Sequence, residues 1–151
     1  KEDLEQELTA LKKEKQVIDW KFSGEGKEVY LDKQLLRSVF INLIGNALKY
    51  SPRESTVKVL VSQTGEALQL QVIDRGIGIP KDEQAHIFKR FFRGQNATNI
   101  GGTGLGLNIA RKHIKLMKGT IGFQSKLNEG TVFTVNVPLV NAMQANQPIK
   151  C

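Results

Sequence analysis

The sequence contains little cysteine, few aromatic residues and no long apolar run. Its only cysteine among 151 residues is Cys151, the last one, so no disulfide can form within the chain and a reducing compartment is expected. Neither a membrane-spanning run nor a secretory leader is present, so we expect a cytoplasmic segment without membrane contact of its own. The chain does not begin with methionine, and we expect an excised piece of a longer protein that could itself be membrane-anchored.

Basic residues are the main compositional excess. Lysine and arginine number 22 against 15 acidic residues, which gives a formal net charge of +7 and admits nucleic acid, a membrane surface or a phosphate-bearing ligand as a partner. Aromatic residues make up 7% of the chain and do not alternate with the basic ones as a base-stacking surface requires. We therefore expect no nucleic-acid partner.

Hydrophobic periodicity and turn residues divide the chain into three parts. Leucines at helical spacing predict a leading helix within residues 1–15, residues 16–140 alternate between helices and strands, and residues 141–151 indicate a flexible polar tail. Asp32 is a suitable N-cap for a long helix over 33–50, and further helices are predicted over 80–88 and 108–118. Strands are predicted over residues 18–22, 29–31, 56–63, 67–73, 119–125 and 130–138.

Short turns join most neighbouring strands in this pattern. Antiparallel strands can be joined in this way, whereas parallel strands need long crossovers. We therefore expect an α+β fold, a two-layer α/β sandwich in which a mixed, mostly antiparallel sheet packs on three main helices.

The long helix carries a narrow polar stripe on an otherwise apolar surface. At about 100° per residue, Asn42, Asn46 and Lys49 fall within about 60° of one another. Asparagine is a poor helix former, but two amides one turn apart can supply oxygen ligands to a hard cation such as Mg²⁺. The stripe alone does not distinguish such a site from solvent-exposed or self-satisfied amides.

Two glycine-containing stretches are suited to a nucleotide. DRGIGIP follows a predicted strand, and an ionised Asp74 would accept a hydrogen bond from the exocyclic amine of adenine, while Gly76 and Gly78 would leave room for a flat ligand. An ordinary turn is the alternative. GTGLGL, residues 102–107, precedes a helix whose free N–H groups and dipole can bind phosphate, although such turns also arise for packing.

The aromatic stretch IFKRFFRG leads into a segment that lacks periodicity, GQNATNIGG at 94–102, which predicts a mobile loop. Phe88, Phe91 and Phe92 have helical spacing and would normally lie in the core. They also alternate with basic residues beside this loop, and a cationic edge on a mobile lid would position a triphosphate. Both interpretations stay open.

In this order along the chain, the stretches resemble the catalytic ATP-binding domain of sensor histidine kinases, the Bergerat fold of a group that also contains DNA gyrase, the mismatch-repair MutL proteins and a heat-shock chaperone. NLIGNALKYSP matches the N box, DRGIGIP the G1 box, IFKRFFR the F box, GTGLGL the G2 box and NEGTVFTV a final box. The resemblance covers roughly residues 4–140. It implies ATP and Mg²⁺ as cofactors and a flexible ATP lid.

At the phosphate end, the resemblance implies that Asn46 is the Mg²⁺ ligand, that Asn42 and Lys49 face the phosphates, and that Arg93 approaches the terminal phosphates with the lid. These four would form the catalytic set. The phosphate-side wall would consist of Gly102, Thr103, Gly104, Leu105, Gly106 and Leu107.

At the adenine end, the resemblance implies that Asp74 binds the adenine amino group and that Thr131 closes the pocket. Tyr50 would lie beside the nucleotide. The base pocket would be shaped by Gly76, Gly78 and Ile79.

Position 42 separates the branches of this group. ATP-hydrolysing members carry a glutamate there as a base for water, whereas Asn42 cannot take a proton, which favours phosphoryl transfer to a protein nucleophile. Neither His86 nor His113 has the sequence context of a phosphoacceptor. The resemblance implies that the acceptor lies on a histidine-containing dimerisation domain of the same parent protein, with a response regulator receiver domain downstream. A GHKL-type ATPase, a non-catalytic nucleotide-sensing module and a serine kinase of this fold are the alternatives.

Overall fold

The computed structural model describes residues 2–24 and 30–139, which fold into two layers, one of helices and one of strands. The α-helices are α1 (Glu2–Leu11), α2 (Lys33–Tyr50) and α3 (Gly106–Leu116). The strands are β1 (Val17–Gly24), β2 (Thr56–Thr64), β3 (Ala67–Asp74), β4 (Thr120–Lys126) and β5 (Gly130–Pro138). The expected α+β sandwich is confirmed.

The strands form one mixed sheet with the order β1-β2-β3-β5-β4. β1 pairs with β2 in parallel, and the other neighbouring strands pair antiparallel. β3 lies at the centre, and its register with β5 sets Asp74 opposite Thr131. The sheet thus brings these two predicted site residues together at the same end of its inner strands.

The long helix begins at its expected cap. Asp32 Oδ1 accepts hydrogen bonds from the backbone N–H groups of Gln34 and Leu35 at 2.9 and 3.0 Å, which satisfies two of the donors that a helix start leaves unpaired. The buried face of α2 consists of Val39, Phe40, Leu43, Ile44, Ala47 and Leu48. Full burial of a valine, leucine, isoleucine or phenylalanine side chain contributes about 1.5–3 kcal/mol. α2 is therefore fixed against the sheet.

The core extends from α2 into the sheet and the other helices. It contains Leu8 of α1 and Ile114 of α3, together with Val57, Val59, Leu70, Val72, Val135 and Val137 from the strands. Asn42, Asn46 and Lys49 are half-buried, so the polar stripe runs beside this core. Within the described ranges, no helix combines the length and the hydropathy needed to cross a bilayer.

The helix predicted over 80–88 is wrong. The segment instead makes consecutive tight turns around a 3₁₀ segment at Gln84–His86. Its backbone hydrogen bonds connect residues three apart. The N–H of Glu83 donates to the carbonyl of Pro80 at 3.0 Å, and the N–H of His86 donates to the carbonyl of Glu83 at 2.9 Å. The Gln84 side chain donates to backbone carbonyls of Ile79 and Ser125, so tertiary contacts decide this conformation over a short isolated helix.

Other predicted boundaries shift by a few residues. α3 begins at Gly106 rather than at residue 108, and the loop at 94–102 contains a 3₁₀ turn at Gln95–Ala97. At the strand predicted over 29–31, the described residues show only an isolated bridge at Tyr30. Residue 29 and the tail predicted at 141–151 lie outside the described residues.

Candidate functional site

A cavity opens at the end of the sheet where Asp74 and Thr131 lie near the C-terminal half of α2. Eight of the predicted site residues line it: Asn46, Tyr50, Asp74, Gly78, Ile79, Arg93, Leu107 and Thr131. The remaining lining residues were not predicted: Ile77, Glu83, Ile87, Phe92, Gly94, Asn96, Ala97 and Phe133. Apolar walls with a few polar groups are typical of a small-molecule site.

Asp74 is a buried acid of this cavity. It is the last residue of β3, it is only 8% exposed, and its Oδ1 accepts the backbone N–H groups of Gly76 at 2.8 Å and Thr131 at 3.3 Å. Burial raises the pKa of Asp74 to about 6, and the two backbone hydrogen bonds limit the rise. Its second oxygen has no hydrogen-bond partner among the described residues. At neutral pH the group is mostly ionised and can only accept hydrogen bonds.

Hydroxyl groups of the β4–β5 hairpin hold the loop that follows Asp74. Ser125 Oγ accepts the backbone N–H of Ile79 at 2.9 Å and lies 2.8 Å from Thr131 Oγ1. Within the hairpin turn itself, the N–H of Asn128 donates to the carbonyl of Ile77 at 2.8 Å. The loop is thus attached to the hairpin at two points, which fixes the position of the carboxylate.

Packing within the protein explains Gly76 better than the expected room for a ligand. A Cβ atom at this position would lie 2.5 Å from the carbonyl oxygen of Tyr50 and 2.9 Å from Asp74 Oδ1. Gly76 does not line the cavity, whereas Gly78 does. The missing side chain lets the end of α2 approach the loop, where the N–H of Ile77 donates to the carbonyl of Tyr50 at 3.2 Å.

The polar stripe of α2 meets the N-terminus of α3. A Cβ atom on Gly106, the first residue of α3, would lie 2.9 Å from Asn42 Oδ1 and 3.9 Å from Asn46 Nδ2. Asn42 Nδ2 donates to the carbonyl of Ser38 at 2.8 Å. The preceding residue, Leu105, gives α3 no side-chain cap. Two amide side chains therefore lie beside a helix start that lacks a cap of its own, an arrangement suited to anions.

Lys49 lies beside the loop that precedes α3 and does not line the cavity. Its Nζ is in close contact with Gly102 and lies 4.8 Å from the centre of the Tyr50 ring. Of the six residues predicted for the phosphate-side wall, Leu107 lines the cavity. Those that do not line it are Gly102, Thr103, Gly104, Leu105 and Gly106.

Arg93 binds the loop that follows it. Its Nη2 donates to the backbone carbonyls of Ala97 at 3.1 Å, Thr98 at 3.3 Å and Ile100 at 2.5 Å. The side chain lines the cavity while it stabilises the 3₁₀ turn of the loop. In this structure the guanidinium group therefore organises the predicted lid.

Sequence reasoning missed Glu83, a buried acid in the cavity wall. It is 8% exposed, and its Oε1 accepts the backbone N–H of Gln95 at 2.9 Å. Its Oε2 is buried without a hydrogen-bond partner among the described residues. Asn96 Nδ2 donates to the carbonyl of Gly78 at 3.1 Å. The start of the loop is thus attached to the side of the cavity where Gly78 and Ile79 lie, the base side. No local sequence pattern identifies an acid in a turn as the residue that makes this attachment.

The three phenylalanines before the loop have different environments. Phe88 and Phe92 pack against the core, and Phe92 also lines the cavity. Phe91 is 72% exposed and has a positive φ of 60°, and its N–H donates to the carbonyl of Gly104 at 3.0 Å. The core interpretation is therefore correct for Phe88 and Phe92 and wrong for Phe91.

Comparisons with known proteins agree with this architecture. The family described as histidine kinase-, DNA gyrase B-, and HSP90-like ATPase matches residues 31–141. The adaptive-response sensory kinase SasA of Gloeothece citriformis is 38% identical over 112 residues, so the match covers 74% of this chain but only 28% of that relative's length.

Solved structures of similar shape include a sensor histidine kinase. The mycobacterial sensor histidine kinase MprB has a TM-score of 0.73 and 26% identity, with 91% of this chain and 94% of that chain covered. Full-length ShkA in complex with AMPPNP has a TM-score of 0.74 and 27% identity, with 93% of this chain and 28% of that chain covered.

Proposed function

The chain belongs to the histidine kinase-, DNA gyrase B-, and HSP90-like ATPase family, and we propose that it is the ATP-binding catalytic domain of a sensor histidine kinase. In the proposed reaction, the γ-phosphoryl group of ATP passes to an imidazole nitrogen of a histidine on a dimerisation domain of the same parent protein, and ADP leaves. The observation that carries the proposal is the buried carboxylate of Asp74, with one oxygen bonded to the backbone and the other without a partner in the part of the chain that the structure describes.

The environment of Asp74 supports adenine as the bound base. An ionised carboxylate accepts a hydrogen bond from the exocyclic amine of adenine, whereas guanine presents a carbonyl at the corresponding position. Apolar side chains of Ile79, Phe92 and Phe133 line the same cavity and suit a flat ring. The chain is therefore proposed to prefer ATP to GTP.

The far end of the site supports a triphosphate. Asn42, Asn46 and the start of α3 lie together, and Lys49 adds a positive charge beside them. Catalysis would consist mainly of holding the phosphates in position and neutralising their charge. Arg93 is proposed to contribute when the loop that it binds moves toward the phosphates.

The same residues fit a magnesium ion that arrives with the nucleotide. The amide oxygen of Asn46 is a ligand that Mg²⁺ accepts, and Mg²⁺ usually takes its remaining ligands from water and phosphate. Over residues 2–24 and 30–139, no group of three or more histidine, cysteine or acidic side chains forms a metal cage. When bound, the ion would neutralise phosphate charge, and Asn46 would hold it.

The environments of Asn42 and of the two histidines bear on where the phosphoryl group goes. Asn42 offers an amide that cannot take a proton from water, and its nitrogen is already bonded to the helix backbone. The imidazoles of His86 and His113 each have a buried Nδ1 without a partner among the described residues, so that nitrogen is shielded from a phosphoryl donor. An external histidine is therefore proposed, and a response regulator receiver domain would take the phosphoryl group next.

The test combines nucleotide titration with phosphotransfer. The purified chain is titrated calorimetrically with ATP and GTP, each with and without Mg²⁺, and is then mixed with labelled ATP and the dimerisation domain of its parent protein. Binding of ATP but not GTP, with transfer of an acid-labile label, supports the proposal. Steady hydrolysis without transfer would identify an ATPase, an acid-stable label a serine kinase, and binding without either reaction a sensing module.

A further inference from the structure

The connector between α1 and β1 is bonded to the C-terminal end of α2. Gln16 is only 6% exposed, and its Nε2 donates to the carbonyls of Leu48 at 2.8 Å and Pro52 at 2.9 Å. Its Oε1 accepts the backbone N–H of Lys13 at 2.9 Å. The last carbonyls of a helix have no partner within that helix. Gln16 therefore caps α2 from a segment that precedes Leu48 by 32 positions.

Lys13 makes a second attachment at the same place. Its Nζ donates to the carbonyls of Lys49 at 2.6 Å and Ser51 at 2.7 Å. A positive charge at this end of a helix also interacts favourably with the helix dipole. Together, Lys13 and Gln16 bond the backbone on both sides of Tyr50.

This backbone is part of the candidate nucleotide site. Lys49 and Tyr50 are the last two residues of α2, and Tyr50 lines the cavity. The carbonyl of Tyr50 accepts the N–H of Ile77, which belongs to the loop after Asp74. A shift of the last turn of α2 would therefore move Lys49 directly, whereas the loop after Asp74 is also held by Ser125 and Asn128 of the β4–β5 hairpin.

We propose that Gln16 and Lys13 are positioning residues of the nucleotide site. By fixing the last turn of α2, they hold Lys49 where it can meet the phosphates. This role rests on the proposed ATP-binding function, and neither residue needs to touch the nucleotide. Because the effect passes through Lys49, its loss should weaken the binding of ATP more than the binding of adenosine, which has no phosphate.

The variants Gln16→Leu and Lys13→Met test this role. Each is titrated with ATP and Mg²⁺, and separately with adenosine, at a temperature where its unfolding curve shows a fully folded protein. The affinity for ATP should fall at least about fivefold in each variant, with a smaller change for adenosine. Gln69→Leu is the matched control, because Gln69 bonds Asn136 at 2.9 Å across β3 and β5 and neither residue lines the cavity.

A double-mutant cycle with Lys49→Met gives a result that lost stability alone would not produce. If Gln16 acts through Lys49, the double variant should bind ATP about as weakly as Lys49→Met alone. Should Gln16→Leu fail to fold, Lys13→Met decides, because Lys13 is exposed and its replacement leaves the core intact.

Two results would overturn the positioning role. One is a wild-type affinity for ATP in both variants, whatever their melting temperatures, and the other is a loss that adds fully to that of Lys49→Met. A wild-type chain that binds ATP normally in these experiments would leave the proposed function standing. A wild-type chain that binds no nucleotide would reject both.

Discussion

Replacement of Asp74 by asparagine should make the protein more stable and its ATP binding weaker. An asparagine keeps an oxygen where Oδ1 accepts the N–H groups of Gly76 and Thr131, so we expect the backbone there to stay in place. The change falls on the second oxygen, which becomes an NH₂ donor, and the negative charge disappears. Stability and binding therefore depend on different atoms of the same side chain.

The size of the stability gain follows from the pKa of Asp74. Burial raises this pKa from 3.8 to about 6. Because one pKa unit corresponds to about 1.4 kcal/mol, the ionised group lowers the free energy of unfolding by up to about 3 kcal/mol at pH 7. The gain in Asp74→Asn should be smaller than this limit, since the new amide must also be desolvated.

The pH dependence has a definite sign. Above pH 6 the carboxyl is ionised in both states, and the fold bears the full cost of the buried charge. As the pH falls from 6 to 3.8, the folded protein takes up a proton that the unfolded chain does not, so this contribution to wild-type stability rises. The stability difference between Asp74→Asn and wild type should therefore be largest at pH 7 and nearly vanish by about pH 4.

Urea unfolding at several pH values and calorimetric titration with ATP at pH 7 measure the two effects. Loss of an acceptor of charge-assisted hydrogen bonds costs about 1.5–3 kcal/mol, or roughly 10- to 150-fold in ATP affinity. Asp82→Asn is the control, because Asp82 is exposed, and it should change stability by less than about 0.5 kcal/mol. A less stable Asp74→Asn, or a stability difference that does not vary with pH, would refute the argument from burial. Unchanged ATP affinity would refute the adenine role.

Three other substitutions separate binding from stability. Asn46→Asp puts a negative charge beside the proposed phosphates and should weaken ATP binding tenfold or more, about 1.4 kcal/mol, while the urea midpoint stays near that of wild type. Gly106→Ala should change stability by no more than about 1 kcal/mol. Its Cβ would meet Asn42 Oδ1 at 2.9 Å, so the rate of phosphotransfer should fall, and an unchanged rate would count against Asn42. Asp32→Ala removes the cap of α2 and should lower the free energy of unfolding, measured in urea, by about 1 kcal/mol. Its control is Glu54→Gln, because Glu54 is exposed, pairs with Lys15 and does not line the cavity. A larger loss of ATP affinity in Asp32→Ala than in Glu54→Gln would contradict a purely structural role.

Signals contained within a few residues predicted the fold well. Asp32 marks the start of α2 and Pro52 lies just beyond its end, and both are local signals. The segment over 80–88 shows where local signals fail. Its turns depend on bonds from Gln84 to Ile79 and to Ser125, and the second partner lies on a strand far along the chain. A local pattern cannot report a partner of that kind.

The residues of the candidate site show the same difference between local signals and long-range contacts. Asp74 could be identified from its residue type and its place at the end of a predicted strand, but its raised pKa depends on burial where the end of β3 pairs with Thr131 of β5. Gly76 shows how the same residue type fits two explanations. A glycine beside a proposed ligand suggests room for that ligand, yet here the space is taken by the carbonyl of Tyr50 from the end of α2. The contact that excludes a side chain at this position is also part of the connection from Gln16 through α2 to the base side of the cavity.

Gln16 is an ordinary glutamine in the sequence, and its place in that connection depends on bonds to carbonyls more than thirty positions away. Motif residues can thus be found by type and spacing, while the residues that hold them in position become visible only when the packed structure brings them together.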